Sequence, residues 1–172
     1  MASATDKLIK RLSVYWKLEA ANVVLIPGTL ILFSEGNIGW MSFLTFLPMM
    51  LLLAIGAVYW RAKLRAITDP KSDMWLEMRL ISPLQIPSLI LTVIAVPVAV
   101  YAWVNPSASA GLWDRGCATF AAILAVLEYI NYYHRQIQHF DNLPDFKRLL
   151  AGKGFRRSQM SKDLAAYRAA ER

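Results

Sequence analysis

The sequence is poor in charged residues and in cysteine. Of its 172 residues, 18% are charged and 56% are hydrophobic. Soluble domains have about 25% charged and about 45–50% apolar residues, so the composition does not favour a soluble domain. A single cysteine, Cys117, leaves no partner for an intramolecular disulfide and no thiolate cage for a metal. A disulfide scaffold is therefore excluded.

The apolar residues are concentrated in four long runs. A transmembrane helix needs roughly 20 mostly apolar residues to cross about 30 Å of hydrocarbon. Four segments meet this requirement, at about 16–34, 40–60, 84–104 and 112–133. Trp and Tyr stand at most of their ends, as expected at the two membrane interfaces. The predicted fold class is an all-α integral membrane protein with four transmembrane helices.

The basic residues lie almost entirely on one side of the predicted spans. Among 19 Lys and Arg residues, Arg115 alone falls outside the amino-terminal end up to Lys17, the 61–83 loop and the tail. The positive-inside rule therefore places both termini and the 61–83 loop in the cytoplasm. The expected organisation is a basic arm 1–15, a membrane domain 16–134 and a basic tail 135–172. We expect a bacterial inner membrane, because the chain carries no organelle address.

An alternative interpretation of residues 1–34 is a cleaved signal peptide, because a basic start precedes an apolar stretch. The basic segment is long for such a peptide, Pro27-Gly28 interrupts the apolar stretch, and no A-x-A cleavage site follows. A first membrane span is therefore the preferred interpretation. Pro27 and Pro97 also predict kinks, which are either fixed packing features or hinges.

A short interfacial helix is predicted in the 61–83 loop. Ser72 or Asp73 is a plausible cap for a segment of about 74–81 with a largely apolar side. Pro83 and Pro87 are expected to separate this helix from the third span.

Two helices are predicted in the tail. The first begins near Asn142 and ends at the 152–154 stretch, which contains two glycines. The second begins at about Ser158 and places Met160, Leu164 and Tyr167 on one side.

The tail also carries basic residues next to aromatic ones. These residues are Lys147, Arg148, Lys153, Arg156 and Arg157. Such a surface attracts anionic phospholipid headgroups, at about 1 kcal/mol per basic residue. Docking of a partner protein fits the same residues equally well. Nucleic-acid binding is the weaker alternative, because no recognised motif accompanies the charge.

Two glutamates lie inside the predicted spans, where ionisable side chains are costly and face protein or water. Glu19 and Glu128 fall at a similar depth, in the third of the bilayer nearest the cytoplasm. Each precedes an asparagine by three positions, Asn22 and Asn131, which puts both polar groups of each pair on one helix face.

This polar cluster has three possible roles. The first is an interhelical clamp in which Arg135 neutralises Glu128. The second is a proton site or a hard-cation site of oxygen ligands, and the third is a contact with another subunit. The helix is expected to continue past Tyr133, so that four residues share a side, namely Glu128, Tyr132, Arg135 and His139.

No catalytic residues, metal site or cofactor are predicted. The two histidines, His134 and His139, are five residues apart near one surface, which disfavours a bis-histidine haem site. Neither glutamate has a histidine at i+3, which disfavours a di-iron site. The arrangement resembles small four-span proteins of bacterial inner membranes, a likeness of architecture alone.

The expected function is that of a membrane accessory or scaffold subunit. Such a subunit packs laterally on a larger complex or self-associates, and its tail binds lipid or a partner. The alternative is a small oligomeric proton- or cation-coupled transporter or channel that uses Glu19 and Glu128. An enzyme acting on lipid is a third possibility, with only these glutamates and the two histidines to draw on.

Overall fold

A computed structural model describes residues 4–69, 71–137 and 154–171 of the chain. Within these ranges the protein is all-helical, as predicted. The helices are α1 Ala4–Phe33, α2 Trp40–Thr68, α3 Trp75–Val104, α4 Leu112–Tyr133 and α5 Gln159–Ala170, with a short 3₁₀ turn at Pro106–Ala108. The first predicted tail helix lies outside the described residues.

Three of the helices, α1, α2 and α3, are long and apolar enough to cross a membrane. This finding supports a membrane protein. The fourth predicted span coincides with α4, which has 22 residues but also carries Asp114, Arg115 and Glu128. These charges lower its hydropathy, and a fourth crossing stays a prediction.

Helix α2 is the centre of the bundle. It packs against α1, α3 and α4, and α3 also packs against α4. In the most apolar stretch of each helix, 56% of the residues are buried in α2, compared with 6% in α1. Helix α1 therefore lies at the edge of the bundle and leaves most of its apolar surface exposed.

The amino-terminal part of α1, the connection between α2 and α3, and the tail meet at one end of the bundle. The ring centroids of Tyr15 and Trp60 are 6.1 Å apart, and those of Trp75 and Tyr167 are 5.1 Å apart. We call this end, which carries most of the Lys and Arg, the basic end. The opposite end, formed by the connections 34–39 and 105–111, is the turn end.

The separate interfacial helix predicted in the 61–83 loop is wrong. Helix α3 runs without interruption from Trp75 to Val104 and contains Pro83, Pro87 and Pro97. A proline removes one backbone hydrogen bond, but breaking the helix in apolar surroundings would leave several peptide groups without partners. The N-cap of α3 is Met74, and neither Ser72 nor Asp73 holds that position. The Asp73 carboxylate nevertheless accepts the N–H of Trp75, the first residue of the helix, at 3.2 Å.

The second predicted tail helix is confirmed. The Ser158 hydroxyl caps α5 by accepting the N–H of Ser161 at 3.1 Å. Met160, Leu164 and Tyr167 are buried and belong to the same apolar core as α2 and α4. The helix is therefore part of the folded bundle.

Asp114 joins the two connections of the turn end. Its buried carboxylate accepts the N–H groups of Gly39 at 2.8 Å, of Ser42 at 3.2 Å and of Ala110 at 3.1 Å, and the Ser42 hydroxyl at 2.6 Å. Gly39 and Ser42 lie at the start of α2, where helical N–H groups lack partners within the helix. Asp114 thus caps α2 from α4.

We expect Asp114→Ala to lower the free energy of unfolding by about 3 kcal/mol, because buried N–H groups would lose a charged acceptor. The exposed Asp69 provides the control, and Asp69→Asn should leave stability within about 0.5 kcal/mol of the wild type. Unfolding of the purified protein in mixed detergent micelles measures both changes. Equal stability of the two variants would contradict the assigned role of Asp114.

Candidate functional site

Three of the five residues of the predicted polar cluster, Glu19, Glu128 and Asn131, lie around Tyr132 of α4. Glu128 and Tyr132 are 6% and 2% exposed, one turn apart on α4. Glu19 of α1 approaches Glu128, and the Tyr132 hydroxyl lies against both carboxyl groups. The hydroxyl makes no hydrogen bond of regular geometry with either. The cluster nevertheless brings α1 to α4 although both helices pack mainly on α2.

Gly56 of α2 makes room for the Tyr132 ring. A Cβ atom at position 56 would collide with the hydroxyl oxygen and with Cζ of Tyr132, the latter at 2.5 Å. The side chain of Tyr132 therefore crosses directly over the backbone of α2 on its way to Glu19. Sequence reasoning placed Tyr132 on the same helix face as Glu128 but did not identify Gly56. The only available signal was a glycine inside an apolar helix, a residue that lets neighbouring helices approach closely in membranes.

The two asparagines have different surroundings. The Asn131 amide donates to the Glu128 carboxylate at 3.4 Å, and its carbonyl oxygen accepts the N–H of Ile137 at 3.0 Å. Asn131 thus belongs to the cluster and also binds the backbone that follows α4. Asn22 is half-buried on α1.

Arg135 does not lie beside Glu128. Helix α4 ends at Tyr133, so residues 128 and 135 do not share a helix face as predicted. The guanidinium of Arg135 instead donates to the carbonyl of Phe155 at 3.1 Å in the tail. Asn131 explains the helix end, because its side chain accepts a backbone N–H beyond the last turn. His139 lies outside the described residues.

The tail closes over this cluster at the basic end. The backbone of residues 134–136 pairs with that of residues 156–158, with the Ser158 N–H donating to the carbonyl of His134 at 3.1 Å. The Ser158 hydroxyl donates to the carbonyl of Tyr132. The same tyrosine therefore holds the carboxyl pair with its side chain and the tail with its backbone.

A cavity of about 60 Å³ lies between the cluster and the tail. Its lining includes Arg11, Tyr15 and Glu19 of α1 and Ser158 and Gln159 of the tail. The Arg11 guanidinium donates to the Tyr15 hydroxyl at 3.0 Å. The cavity is large enough for a small number of water molecules and too small for an organic substrate.

An ion pair fixes α5 to α2. The Asp163 carboxylate accepts from the Lys63 ammonium and from the Tyr59 hydroxyl, each at 2.7 Å. Arg168 of α5 donates to the Gln85 side chain of α3 at 2.7 Å. Together with the buried apolar side of α5, these contacts attach the tail helix to both α2 and α3.

Two of the five basic tail residues predicted to bind lipid or a partner lie within the described residues. Arg156 and Arg157 are exposed at the start of α5. Lys147, Arg148 and Lys153 lie outside the described residues. Binding by the tail stays a prediction.

A second cavity, at the basic end between α3, the end of α4 and α5, collects three arginines. We call it the basic pocket. It has a volume of about 410 Å³ and is lined by Gln85, Tyr133, His134, Arg135, Arg157, Ser161, Leu164, Ala165 and Arg168. Sequence reasoning missed it, because its arginines come from three separate places in the tail and meet only after the backbone pairing of residues 134–136 with 156–158.

No group of three or more His, Cys, Asp or Glu side chains is arranged to hold a metal ion within residues 4–69, 71–137 and 154–171. Comparison with protein-family models, with curated proteins and with solved structures finds no match to this chain. The class of protein is therefore defined by the fold: a small all-helical bundle with three helices able to cross a membrane.

The fit of Tyr132 against Gly56 can be tested by adding one methyl group. We expect Gly56→Ala to lower the free energy of unfolding by about 2 kcal/mol, because the methyl group displaces Tyr132. Gly116→Ala in α4 is the matched control, since nothing lies within 4 Å of a Cβ atom there. The control should be neutral or up to about 1 kcal/mol more stable, as alanine favours helix. Thermal unfolding in one detergent compares the two, and a neutral Gly56→Ala would contradict the packing described.

Proposed function

We propose that this protein is a small integral membrane accessory or scaffold subunit with four spans. In this proposal both termini face the cytoplasm, and the lateral faces of the bundle pack on a larger membrane complex or on further copies of the chain. The basic end then carries the contacts with lipid headgroups or with a partner. The distribution of Lys and Arg supports this orientation.

The observation that carries the proposal is the closed packing around the carboxyl cluster. On the side toward the turn end, the core next to the cluster is filled by apolar side chains of α2 and α4, including Leu52, Ala121 and Ala125, each 0% exposed. On the other side, Tyr132 and the tail cover it. Such packing favours a clamp that holds α1 in place. It does not favour a conduit through the bundle.

The exposed lateral surfaces also support the proposal. Helix α1 contacts mainly α2, and its opposite face presents Val24, Leu25, Leu32 and Phe33. Lipid covers such a surface in a monomer, and neighbouring helices cover it in a complex. An edge helix that packs on α2 with one side, and is tied to α4 by the clamp, leaves its other side available for lateral association.

A transporter or channel remains the second candidate, because two carboxyl groups meet inside the bundle. In that proposal Glu19 and Glu128 bind a proton or a cation, and an oligomer supplies the rest of the pathway. The Pro27 and Pro97 positions then permit gating. The two functions predict different results for the same substitutions.

The deciding experiment is purification of the tagged protein from its own membranes in mild detergent, followed by native mass spectrometry. The accessory function predicts stoichiometric recovery of a larger membrane complex. It further predicts that Glu19→Gln and Glu128→Gln change this recovery no more than Gly56→Ala does, because the carboxyls act through packing.

Recovery of a homo-oligomer alone would fit both self-association of a scaffold and the second candidate. Proton and cation flux into proteoliposomes would then be measured for the same variants. Loss of flux in either glutamine variant, with the oligomer intact, would contradict the accessory function. Unchanged flux would contradict the transporter.

A further inference from the structure

The basic pocket brings together three positive charges that face no negative charge of the described chain. Arg157 donates to the hydroxyl and carbonyl of Ser161, and Arg168 donates to Ser82 and Gln85. Arg135 donates to the Phe155 carbonyl. Each partner is neutral, and the two ion pairs in the described part of the chain involve other residues. An anion in the pocket would therefore supply the charged partner that the three guanidinium groups do not find in the described chain.

The arginines suit an anion with several oxygen atoms. A guanidinium group is planar, permanently charged and able to give two parallel N–H bonds to one phosphate. The pocket extends along α5 from Ser161 to Arg168, and at its Ser161 edge the helix dipole favours negative charge. With a volume of about 410 Å³, it can hold a phosphate together with a small esterified group.

An apolar groove runs along the same pair of helices. It has a volume of about 390 Å³ and is lined by Val96, Ala99 and Val100 of α3 and Thr119, Ala122, Ile123, Val126 and Leu127 of α4. At 100° per residue, Gln85 of the basic pocket and Val96 of the groove point within about 20° of each other on α3. Tyr133 and Val126 are similarly aligned on α4. The groove and the pocket therefore open on one side of the α3–α4 pair.

The spacing of the two features matches a lipid. Gln85 and Val96 are separated by about 16 Å along α3, and Tyr133 and Leu127 by about 9 Å along α4, at 1.5 Å per residue. The basic pocket lies where the third and fourth predicted spans reach the headgroup region. The groove lies deeper, at the level of the acyl chains.

We propose that the basic pocket binds the phosphate of an anionic phospholipid whose acyl chain occupies the α3–α4 groove. Basic pockets between membrane helices on the cytoplasmic side are a known means of holding such headgroups. The inference rests on the proposed membrane placement of the basic end. It does not depend on a partner complex.

The test uses the full chain reconstituted in nanodiscs containing equal amounts of phosphatidylglycerol and phosphatidylcholine with identical acyl chains. After extraction into mild detergent, native mass spectrometry measures the lipid that stays bound. We expect preferential retention of one phosphatidylglycerol. Arg157→Gln and Arg135→Gln should each weaken retention about fivefold. Arg157 contacts Ser161 in the first turn of α5, whereas Arg135 does not, so the test survives if the first change disturbs that helix.

Two controls match these changes. Lys162→Gln removes one positive charge from α5 without altering the pocket lining. The groove is tested by Ile123→Trp, which fills it from an exposed position. Val24→Trp on α1 is the control for this change, since both side chains are over half exposed. The pocket and groove variants should lose phosphatidylglycerol, and both controls should keep it.

Three results would overturn the proposal. The first is equal retention of phosphatidylglycerol and phosphatidylcholine. The second is a loss of the same size in Lys162→Gln as in Arg157→Gln. The third is displacement of the lipid by inorganic phosphate together with normal retention in Ile123→Trp, which would assign the pocket to a soluble phosphate. Failure of the chain to enter nanodiscs at all would instead contradict the proposed membrane placement.

Discussion

The placement of two carboxyl groups beside one tyrosine hydroxyl, with Glu128 buried and Glu19 half-buried, is the constraint on which the basic half of the bundle depends. Taking an ionisable group out of water is costly unless other polar groups surround it. Glu19, Glu128 and Tyr132 provide this surrounding for each other, and Asn131 adds a hydrogen bond to Glu128. Gly56 is required because the Tyr132 side chain must pass over α2 to reach α1. Five residues on three helices thus specify how α1, α2 and α4 meet.

The tail depends on the same tyrosine. Its carbonyl accepts the Ser158 hydroxyl, and the backbone pairing next to it aligns Arg135 with Arg157. The apolar side of α5 then enters the core, and Asp163 pairs with Lys63 of α2. The convergence of three arginines on one pocket is a consequence of this docking. A change that loosens Tyr132 should therefore affect both the clamp and the pocket.

Sequence reasoning predicted the features that follow from local pattern. The helix from Ser158 with Met160, Leu164 and Tyr167 on one side is confirmed because its cap and its periodicity lie within twelve residues. The separate interfacial helix is wrong because proline was given more weight than the continuity of a helix in apolar surroundings. The partnership of Glu128 with Arg135 failed because Asn131 ends α4 through a contact with Ile137. Asp114 and Gly56 were missed because their roles exist only in contacts between distant segments, 75 residues apart for Asp114 and Gly39.

The central claim is that Glu19 acts through Tyr132 to hold α1 in the bundle. A double-mutant cycle of Glu19→Ala and Tyr132→Phe, measured by unfolding in mixed micelles, tests it most directly. If the two groups act together, the double variant is more stable than the sum of the single changes predicts, by at least about 0.6 kcal/mol. Additive effects would show that each residue contributes independently and would contradict the clamp.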